Sequence, residues 1–281
     1  MSAARRKQRE LRGRVVVVTG AAGGLGAALA RQCAEAGARV AALDLDGAGA
    51  EAIAVGLRAQ GHEALGLACD VSDEAACHSA IADVVQRLGG IDWLIANAGI
   101  SARCLLREAA PEVLRRVMAV NFFGAAWCTQ AALPSLLQRR GQIVVISSVA
   151  GFSPLVGRSA YAASKHALHG FFDSLRSEVA ADGVGVMLAC PAFIATGIER
   201  AALGADARPM QAPRQTSGRE ATPADVAERI LADARRGRRL SLPSRTSRAA
   251  WWLSRLAPAF YERQMLRRQG AQFDLTPRSP A

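Results

Sequence analysis

Short apolar runs alternate with longer helix-compatible segments along most of the chain. A continuous β-branched run such as residues 14–20 is typical of a parallel strand that is buried on both faces. Six apolar runs, each followed by turn-forming or polar residues, predict strands at residues 14–20, 39–46, 63–73, 91–99, 141–151 and 184–193. Helical patterns separate these strands. The sequence therefore predicts a doubly wound α/β fold, a parallel sheet with helices on both faces.

This alternation continues over residues 11–240 without an internal repeat or a linker, and it predicts one domain. Within it, residues 202–223 are poor in aromatics and rich in turn formers, so they predict a flexible loop. An amphipathic helix is expected at 223–237. Residues 241–281 form an arginine- and aromatic-rich tail, which predicts two short helices separated by Pro258.

The composition excludes disorder for the bulk of the chain, because 51% of its 281 residues are hydrophobic. The formal charge is +11, from 35 basic and 24 acidic residues, and much of the excess lies at the N-terminus and beyond Arg235. Basic termini can meet nucleic acid, anionic lipid or an acidic partner, but a solvated terminus is the commoner explanation. A nucleic-acid partner is not expected.

The six cysteines contain no CxxC pair, and they predict reduced, buried thiols instead of a disulfide frame or a zinc site. His166 and His169 could share a metal, but no acidic or cysteine partner stands at ligand spacing, so packing roles and no metal are expected. No apolar run approaches the roughly 18 residues of a membrane span. The apolar run after the basic N-terminus is too short for a signal-peptide core. We predict a cytoplasmic protein.

A glycine-rich stretch, TGAAGGLG at residues 19–26, lies between the first strand and the first helix. Glycines let the backbone turn sharply and approach a ligand, and the helix start offers free N–H groups and a positive dipole end to a pyrophosphate. The spacing G-x-x-x-G-x-G meets the usual dinucleotide fingerprint only loosely. The context favours a dinucleotide site over a mere glycine-rich turn. The predicted contacts are Gly20, Ala22, Gly23, Gly24, Leu25 and Gly26.

Asp44 ends the second strand, where a carboxylate can accept hydrogen bonds from both ribose hydroxyls of an adenosine. A 2′-phosphate there would be repelled, and no arginine or lysine occurs in residues 20–26 to offset the repulsion. Asp44 therefore predicts NAD instead of NADP, and its neighbour Leu45 is a further predicted cofactor contact. The alternative is that Asp44 is only a turn residue.

Tyr161 stands four positions before Lys165 in a helical pattern, so both side chains project from one face. A neighbouring ammonium favours the phenolate form of tyrosine. Such a tyrosine could exchange a proton with an alcohol or a ketone while a cofactor takes or gives hydride. Ser148, at the end of a predicted strand, could hold the reacting oxygen beside Tyr161. Taken alone, a serine there is more often a cap or turn residue.

Together these motifs resemble the short-chain dehydrogenase/reductase family over about residues 11–240. The matching segments stand in the family's order: TGAAGGLG, CDVSD, ANAG, Asn121 in MAVNFFG, ISS, YAASK and PAFIAT. The resemblance implies a catalytic tetrad of Asn121, Ser148, Tyr161 and Lys165. In the family the tyrosine is the acid/base and the serine orients the substrate oxygen. The lysine binds the nicotinamide ribose and lowers the tyrosine pKa, while the asparagine supports a water-mediated proton path.

The resemblance also implies further cofactor contacts. Asp70 and Val71 match positions beside the adenine, and residues around the adenosine ribose and the nicotinamide carboxamide follow. Asn97, Ala98 and Gly99 match the positions that flank the ribose, and Pro191, Ile194 and Thr196 match those around the carboxamide. Ala192 departs from the family, which usually has glycine there, and it puts the nicotinamide contacts in doubt.

The function predicted is an NAD(P)-dependent oxidoreductase that transfers hydride between nicotinamide and a secondary alcohol or ketone. An apolar substrate is expected from the residues near the site, which are Phe152, Leu155, Val156, Phe193 and Ile198. The alternatives are an NADPH-dependent ketoacyl or keto reductase and a non-catalytic, NAD-binding, membrane-docking protein. The resemblance suggests a homodimer or homotetramer through the helices that hold Asn121 and Tyr161.

Trp252, Leu256 and Phe260 recur every four residues in the tail, among several arginines. This apolar stripe could pack on the core, roof the substrate pocket or join a subunit contact. Alternatively, it could form an interfacial helix on an anionic membrane, which would be a peripheral membrane contact.

Overall fold

A computed structural model describes residues 9–192, 194, 202–210 and 221–275. The strands are β1 Val15–Thr19, β2 Arg39–Asp44, β3 Ala64–Ala68, β4 Trp93–Ala96, β5 Gln142–Ile146, β6 Gly185–Ala189 and β7 Leu240–Ser241. The α-helices are α1 Gly24–Glu35, α2 Gly47–Ala59, α3 Glu74–Leu88, α4 Pro111–Met118, α5 Gly124–Arg139, α6 Ser159–Glu178, α7 Pro223–Arg235, α8 Arg245–Leu256 and α9 Pro258–Gln269. Short π- and 3-10 turns span Ala119–Phe123, Val149–Gly151 and Gly270–Gln272.

The strands form one sheet in the order β3-β2-β1-β4-β5-β6-β7, and every pairing is parallel. The predicted doubly wound fold is therefore confirmed. The strand order reverses between β1 and β4. A crevice opens at such a reversal, beyond the carboxyl ends of the strands, and ligands of doubly wound sheets bind there.

Each face of the sheet carries its own hydrophobic core. On β1, Val15 and Val17 belong to the core that includes Phe172 of α6, while Val16 and Val18 belong to the opposite core with Leu29 of α1. All four valines are fully buried. Burial on both faces explains why this strand is a continuous apolar run and not an alternating one.

The seventh strand was absent from the sequence prediction. β7 has only two residues, Leu240 and Ser241, and it pairs with the end of β6. Ser241 Oγ donates a hydrogen bond of 2.8 Å to Asp233 of α7, which fixes the start of the tail to the preceding helix. A two-residue strand carries no periodicity, so its pairing could not be predicted from the pattern.

The two helices expected in the tail are present. Ser244 caps α8 through reciprocal hydrogen bonds with Ser247, and Pro258 is the first residue of α9, where its missing N–H costs nothing. Ala250 and Tyr261 pack with Val149 in a small apolar cluster, so the tail rests on the carboxyl side of β5. Within the described ranges, no helix combines the length and apolar character needed to cross a membrane.

Candidate functional site: a dinucleotide crevice and its catalytic side

The loop between β1 and α1 is held by very close backbone contacts. Gly20 adopts φ +66°, and a Cβ atom there would lie 2.8 Å from Ala98 Cα. At Gly26 a Cβ would lie 1.9 Å from the carbonyl oxygen of Gly20. Only glycine fits at either position. Gly23 and Gly24, in contrast, are exposed at the start of α1, while Leu25 is buried.

Thr19 and Asn97 clamp this loop to the end of β4. The hydroxyl oxygen of Thr19 accepts hydrogen bonds from the backbone N–H groups of Asn97 and Ala98, each 3.0 Å long. The side-chain amide of Asn97 donates to the carbonyl oxygens of Thr19 and Gly20 at 2.9 and 3.0 Å. Asn97, predicted to flank the ribose, therefore also braces the turn. Thr19 was missed as a functional residue, although the TG pair that opens the motif contains it.

Asp44 lies beside the glycine loop, as its position at the end of β2 required. One carboxylate oxygen accepts a hydrogen bond of 2.8 Å from the backbone N–H of Ala22, and the other accepts one of 3.0 Å from Asp46. The next residue, Leu45, is 73% exposed. These bonds fix the carboxylate beside the turn, and its recognition of a ribose stays a prediction.

The adenine side is formed by the segment after β3. Asp70 is exposed, and its carboxylate accepts from both the backbone and the hydroxyl of Ser72. Val71 is buried against Gly124, where an added Cβ would approach its side chain to 2.8 Å. The predicted adenine contacts thus lie on a firmly packed turn.

Asn121 lies in the π-helical turn between α4 and α5, and only 1% of it is exposed. Its amide oxygen accepts from the backbone N–H of Ile100 at 2.8 Å, while its amide nitrogen donates to Ile100 O and to Ser164 Oγ, each at 2.9 Å. Ser164 in turn donates to the carbonyl oxygen of Tyr161 at 2.8 Å. Asn121 therefore joins the loop after β4 to helix α6.

Lys165 is 3% exposed, and its ammonium group donates a hydrogen bond of 2.9 Å to Ile146 O at the end of β5. Its Nζ lies 5.7 Å from the centroid of the Tyr161 ring. A Cβ on Gly99 would lie 3.1 Å from Asn121 Oδ1 and 3.6 Å from Lys165 Nζ, so the three predicted residues converge. Burial lowers the pKa of Lys165 to about 8, since a charged amine is poorly solvated there.

Ser148 follows β5, and its hydroxyl caps the turn Val149–Gly151 by accepting from the backbone N–H of Ala150 at 3.2 Å. The capping role and the predicted substrate-orienting role are thus both compatible with its position. Immediately behind it, Ser147 Oγ lies 3.1 Å from Nε2 of His169. Burial lowers the pKa of His169 to about 4. A neutral His169 therefore supports the strand end next to Ser148.

The predicted nicotinamide contacts are only partly within the described residues. The carbonyl oxygen of Pro191 accepts from Val149 N at 3.1 Å, and Ile194 forms a parallel bridge with Ala221. Thr196 and Phe193, together with Ile198 on the substrate side, lie outside the described residues. Ala192, the departure from the family, packs its methyl group against the cluster of Val149, Ala250 and Tyr261. The tail thus gives this methyl group a partner.

The C-terminal segment closes over two loops on the substrate side. Gln269 accepts from Val156 N at 3.3 Å, and Gln272 accepts from the Arg103 guanidinium at 2.8 Å. The ring of Phe273 packs against Gly157 and lies below Arg103. Loops after β4 and β5 are therefore tied together by the tail, a contact that no motif indicated.

A dinucleotide fits the crevice that these residues form. The loop between β1 and α1 carries no side chain larger than a methyl group, and Gly23 at the helix start uses no side-chain cap, so the first N–H groups of α1 remain available at the crevice. The Asp44 carboxylate lies beside this loop, bonded to Ala22 N. The fold and this crevice define a dinucleotide-binding α/β protein.

Comparisons with known proteins give the family. The model of the short chain dehydrogenase family matches residues 14–205. A "Dehydrogenase/reductase SDR family protein 7-like" of Anopheles gambiae is 39% identical over 264 residues, covering 91% of this chain and 83% of that protein. The chain belongs to the short-chain dehydrogenase/reductase family, and it is an oxidoreductase with a nicotinamide cofactor.

Two further similarities agree with this assignment. The "2-(S)-hydroxypropyl-CoM dehydrogenase 3" of Xanthobacter autotrophicus is 35% identical over 227 residues, covering 79% of this chain and 89% of that protein. A crystal structure of a short chain dehydrogenase/reductase from Burkholderia phymatum in complex with NAD has a TM-score of 0.76 and 27% identity, covering 97% of this chain and 99% of that one.

Proposed function

We propose that the protein is an NAD-dependent dehydrogenase of a secondary alcohol, which reduces the corresponding ketone in the reverse direction. The observation that carries this proposal is the convergence of Gly99, Asn121 and Lys165 beside Tyr161 at the carboxyl ends of β4 and β5. A bound nicotinamide cofactor would supply the hydride acceptor. The rest of the reaction requires one proton transfer and one oriented oxygen.

Each member of the tetrad has a role that its surroundings support. Tyr161 takes the alcohol proton, and Ser148 holds the same oxygen by a hydrogen bond. The buried ammonium of Lys165, fixed on Ile146 O, favours the negative charge that develops on the phenol. Asn121 positions helix α6 through Ser164.

The preference for NAD is proposed from Asp44. Its carboxylate is held beside the N-terminal end of α1 by Ala22 N–H, where a 2′-phosphate would meet like charge. The remaining cofactor contacts proposed are those of the glycine loop and of Leu45, Asp70, Val71, Asn97, Ala98, Gly99, Pro191, Ile194 and Thr196.

An apolar, small substrate is supported by the half-buried side chains of Phe152, Leu155 and Val156 next to Ser148. The name of the Xanthobacter relative, "2-(S)-hydroxypropyl-CoM dehydrogenase 3", describes a secondary alcohol and is consistent with oxidation at such a carbon. The polar groups Arg103 and Arg158 bond to Gln272 and Ser101, so they are engaged within the protein.

We also propose a homodimer or homotetramer through α5 and α6. Phe123 and Phe171 are 43% and 39% exposed, and Phe122 joins them by edge-to-face contacts at 5.1 and 5.7 Å. Aromatic groups of this kind are enriched at subunit interfaces. A reducing, cytoplasmic compartment is supported by the six free cysteines.

A panel of short aliphatic, aromatic and sterol alcohols tests the proposal, with NAD and NADP in parallel and the reduced cofactor followed by absorbance. Turnover with NAD on at least one secondary alcohol is expected, and Tyr161→Phe should lower kcat by about 10²–10⁴-fold. Calorimetry should find cofactor binding by the variant within about threefold of wild type. Equal turnover by Tyr161→Phe would contradict the role of the tyrosine.

A further inference from the structure

Four of the five exposed large apolar side chains on helices α8 and α9 are close in sequence: Trp252, Leu253, Leu256 and Phe260. We call these four the α8–α9 face. Trp252 is 61% exposed and Leu256 is 76% exposed. Single exposed apolar residues are ordinary, but several on one pair of helices point to an interaction site.

The α8–α9 face is not needed to hold the two helices on the protein. Their opposite sides do that: Ala250 and Tyr261 are buried with Val149, and the Trp251 ring packs edge-on against Phe152 at 4.9 Å. Trp252 and Leu256 therefore stay mostly open to solvent while other side chains hold the helices on the protein.

Positive charge surrounds the α8–α9 face. The two helices carry a single acidic residue, Glu262. Arg255 stacks on the Trp251 ring at 3.1 Å, and none of the helices' arginines forms an ion pair with a carboxylate in the part of the chain that the structure describes. The exposed arginines are Arg245, Arg248, Arg255, Arg263, Arg267 and Arg268.

This combination selects one kind of partner. A second copy of the chain would bring six more arginines against the first six, and like charges disfavour that contact. An anionic lipid surface offers what both features require, because indole and aliphatic side chains enter the headgroup boundary while arginines bind lipid phosphates.

We propose that the α8–α9 face docks the protein onto membranes that contain anionic lipids, as a peripheral contact. The position of the face gives the docking a direction. Trp251 contacts Phe152, and Gln269 at the end of α9 binds Val156, so the docked helices border the proposed substrate side. Only this last consequence rests on the proposed function; the docking itself does not.

Vesicle co-sedimentation of the full chain tests the proposal, with phosphatidylcholine vesicles and with vesicles that also contain phosphatidylglycerol. Wild type is expected to sediment with the anionic vesicles only, and less so as salt is raised, because salt screens the arginine contribution. The double variant Trp252→Ser/Leu256→Ser should lose at least about tenfold in partition coefficient. Val55→Ser on α2, which removes a residue that is 51% exposed elsewhere, is the matched control and should bind like wild type.

The charge component has its own pair of variants. Arg263→Gln/Arg267→Gln should weaken binding to anionic vesicles, while Arg115→Gln on α4, also an exposed arginine, should not. Unchanged unfolding temperatures and unchanged turnover without vesicles would show that the variants are folded. Failure of wild type to bind anionic vesicles would overturn the proposal. A smaller oligomer mass for Trp252→Ser/Leu256→Ser than for wild type in light scattering would also overturn the proposal, because the α8–α9 face would then contact a second copy of the chain.

Discussion

The two sides of the crevice are built in different ways. On the cofactor side, Thr19, Gly20, Gly26, Asp44 and Asn97 hold one another through backbone contacts of short range. On the substrate side, the loops after β4 and β5 are joined by the C-terminal tail, through side chains at its end. The first construction fixes residue types at fixed spacing. The second construction requires only that each loop find some side-chain partner in the tail.

This difference leads to unequal responses to substitution. A change on the cofactor side should alter cofactor binding and the reaction rate strongly, since its groups are too closely packed to rearrange. A change on the substrate side should alter selectivity and local stability modestly, since side-chain contacts of this kind can repack.

The largest effect is expected at Lys165, where the two sides meet. Lys165→Met removes the buried ammonium, so kcat/KM for alcohol oxidation should fall by at least about 100-fold. The pH at which oxidation is half-maximal should move upward, because the phenolate loses its cationic neighbour. A pH–rate profile of wild type and variant measures both changes. An unmoved profile would show that Lys165 acts only by packing.

Gly26→Ala should be the most damaging change within the glycine loop. Its methyl group would lie 1.9 Å from Gly20 O, and Gly20 O is held by Asn97. Overpacking of this kind costs about 1–3 kcal/mol in the free energy of unfolding. Gly23→Ala is the control, since nothing lies within 4 Å of its Cβ position and it should unfold like wild type. Similar urea midpoints for the two variants would contradict the described loop.

His169 should make stability depend on pH. Its pKa is about 4 when folded, against 6.5 for an ordinary histidine. The unfolded state therefore binds the proton more readily, and stability falls as pH drops from 6.5 toward 4. His169→Gln should remove about 2 kcal/mol of the loss between pH 7 and pH 5. Chemical unfolding at both pH values measures it, and a variant with the same pH dependence as wild type would rule out His169 as the source.

The smallest effect is expected at Ala192. Ala192→Gly removes one methyl group from the cluster with Val149, Ala250 and Tyr261, which should cost about 1 kcal/mol. The affinity for NAD should stay within about threefold, because the methyl group faces the tail and not the cofactor crevice. Calorimetry measures the affinity for NAD, and a change of more than about threefold would place the methyl group against the nicotinamide.

The sequence predicted the sheet correctly and located the glycine turn for a physical reason. Buried parallel strands such as β1 must be apolar throughout, and the turn leaves no room for a side chain at Gly20 or Gly26. Both constraints leave local traces. The sequence also predicted a catalytic set, because Tyr161 and Lys165 share one helix turn.

The remaining features leave no local trace. β7 is a two-residue pairing that depends on β6. The Thr19–Asn97 clamp joins residues 78 positions apart, and the sequence pattern does not mark the Thr19 hydroxyl as one of the partners. The neutral state of His169 depends on burial by Phe152 and the surrounding strand ends. Such contacts follow from the assembled fold and not from spacing.

The central claim is that the cofactor side is preformed for NAD, with Asp44 as the discriminating group. Titration calorimetry of NAD and NADP against the wild-type protein at the same ionic strength tests it most directly. We predict that NAD binds at least about tenfold more tightly, a difference of about 1.4 kcal/mol, since a 2′-phosphate would meet the Asp44 carboxylate. Tighter binding of NADP would contradict the account.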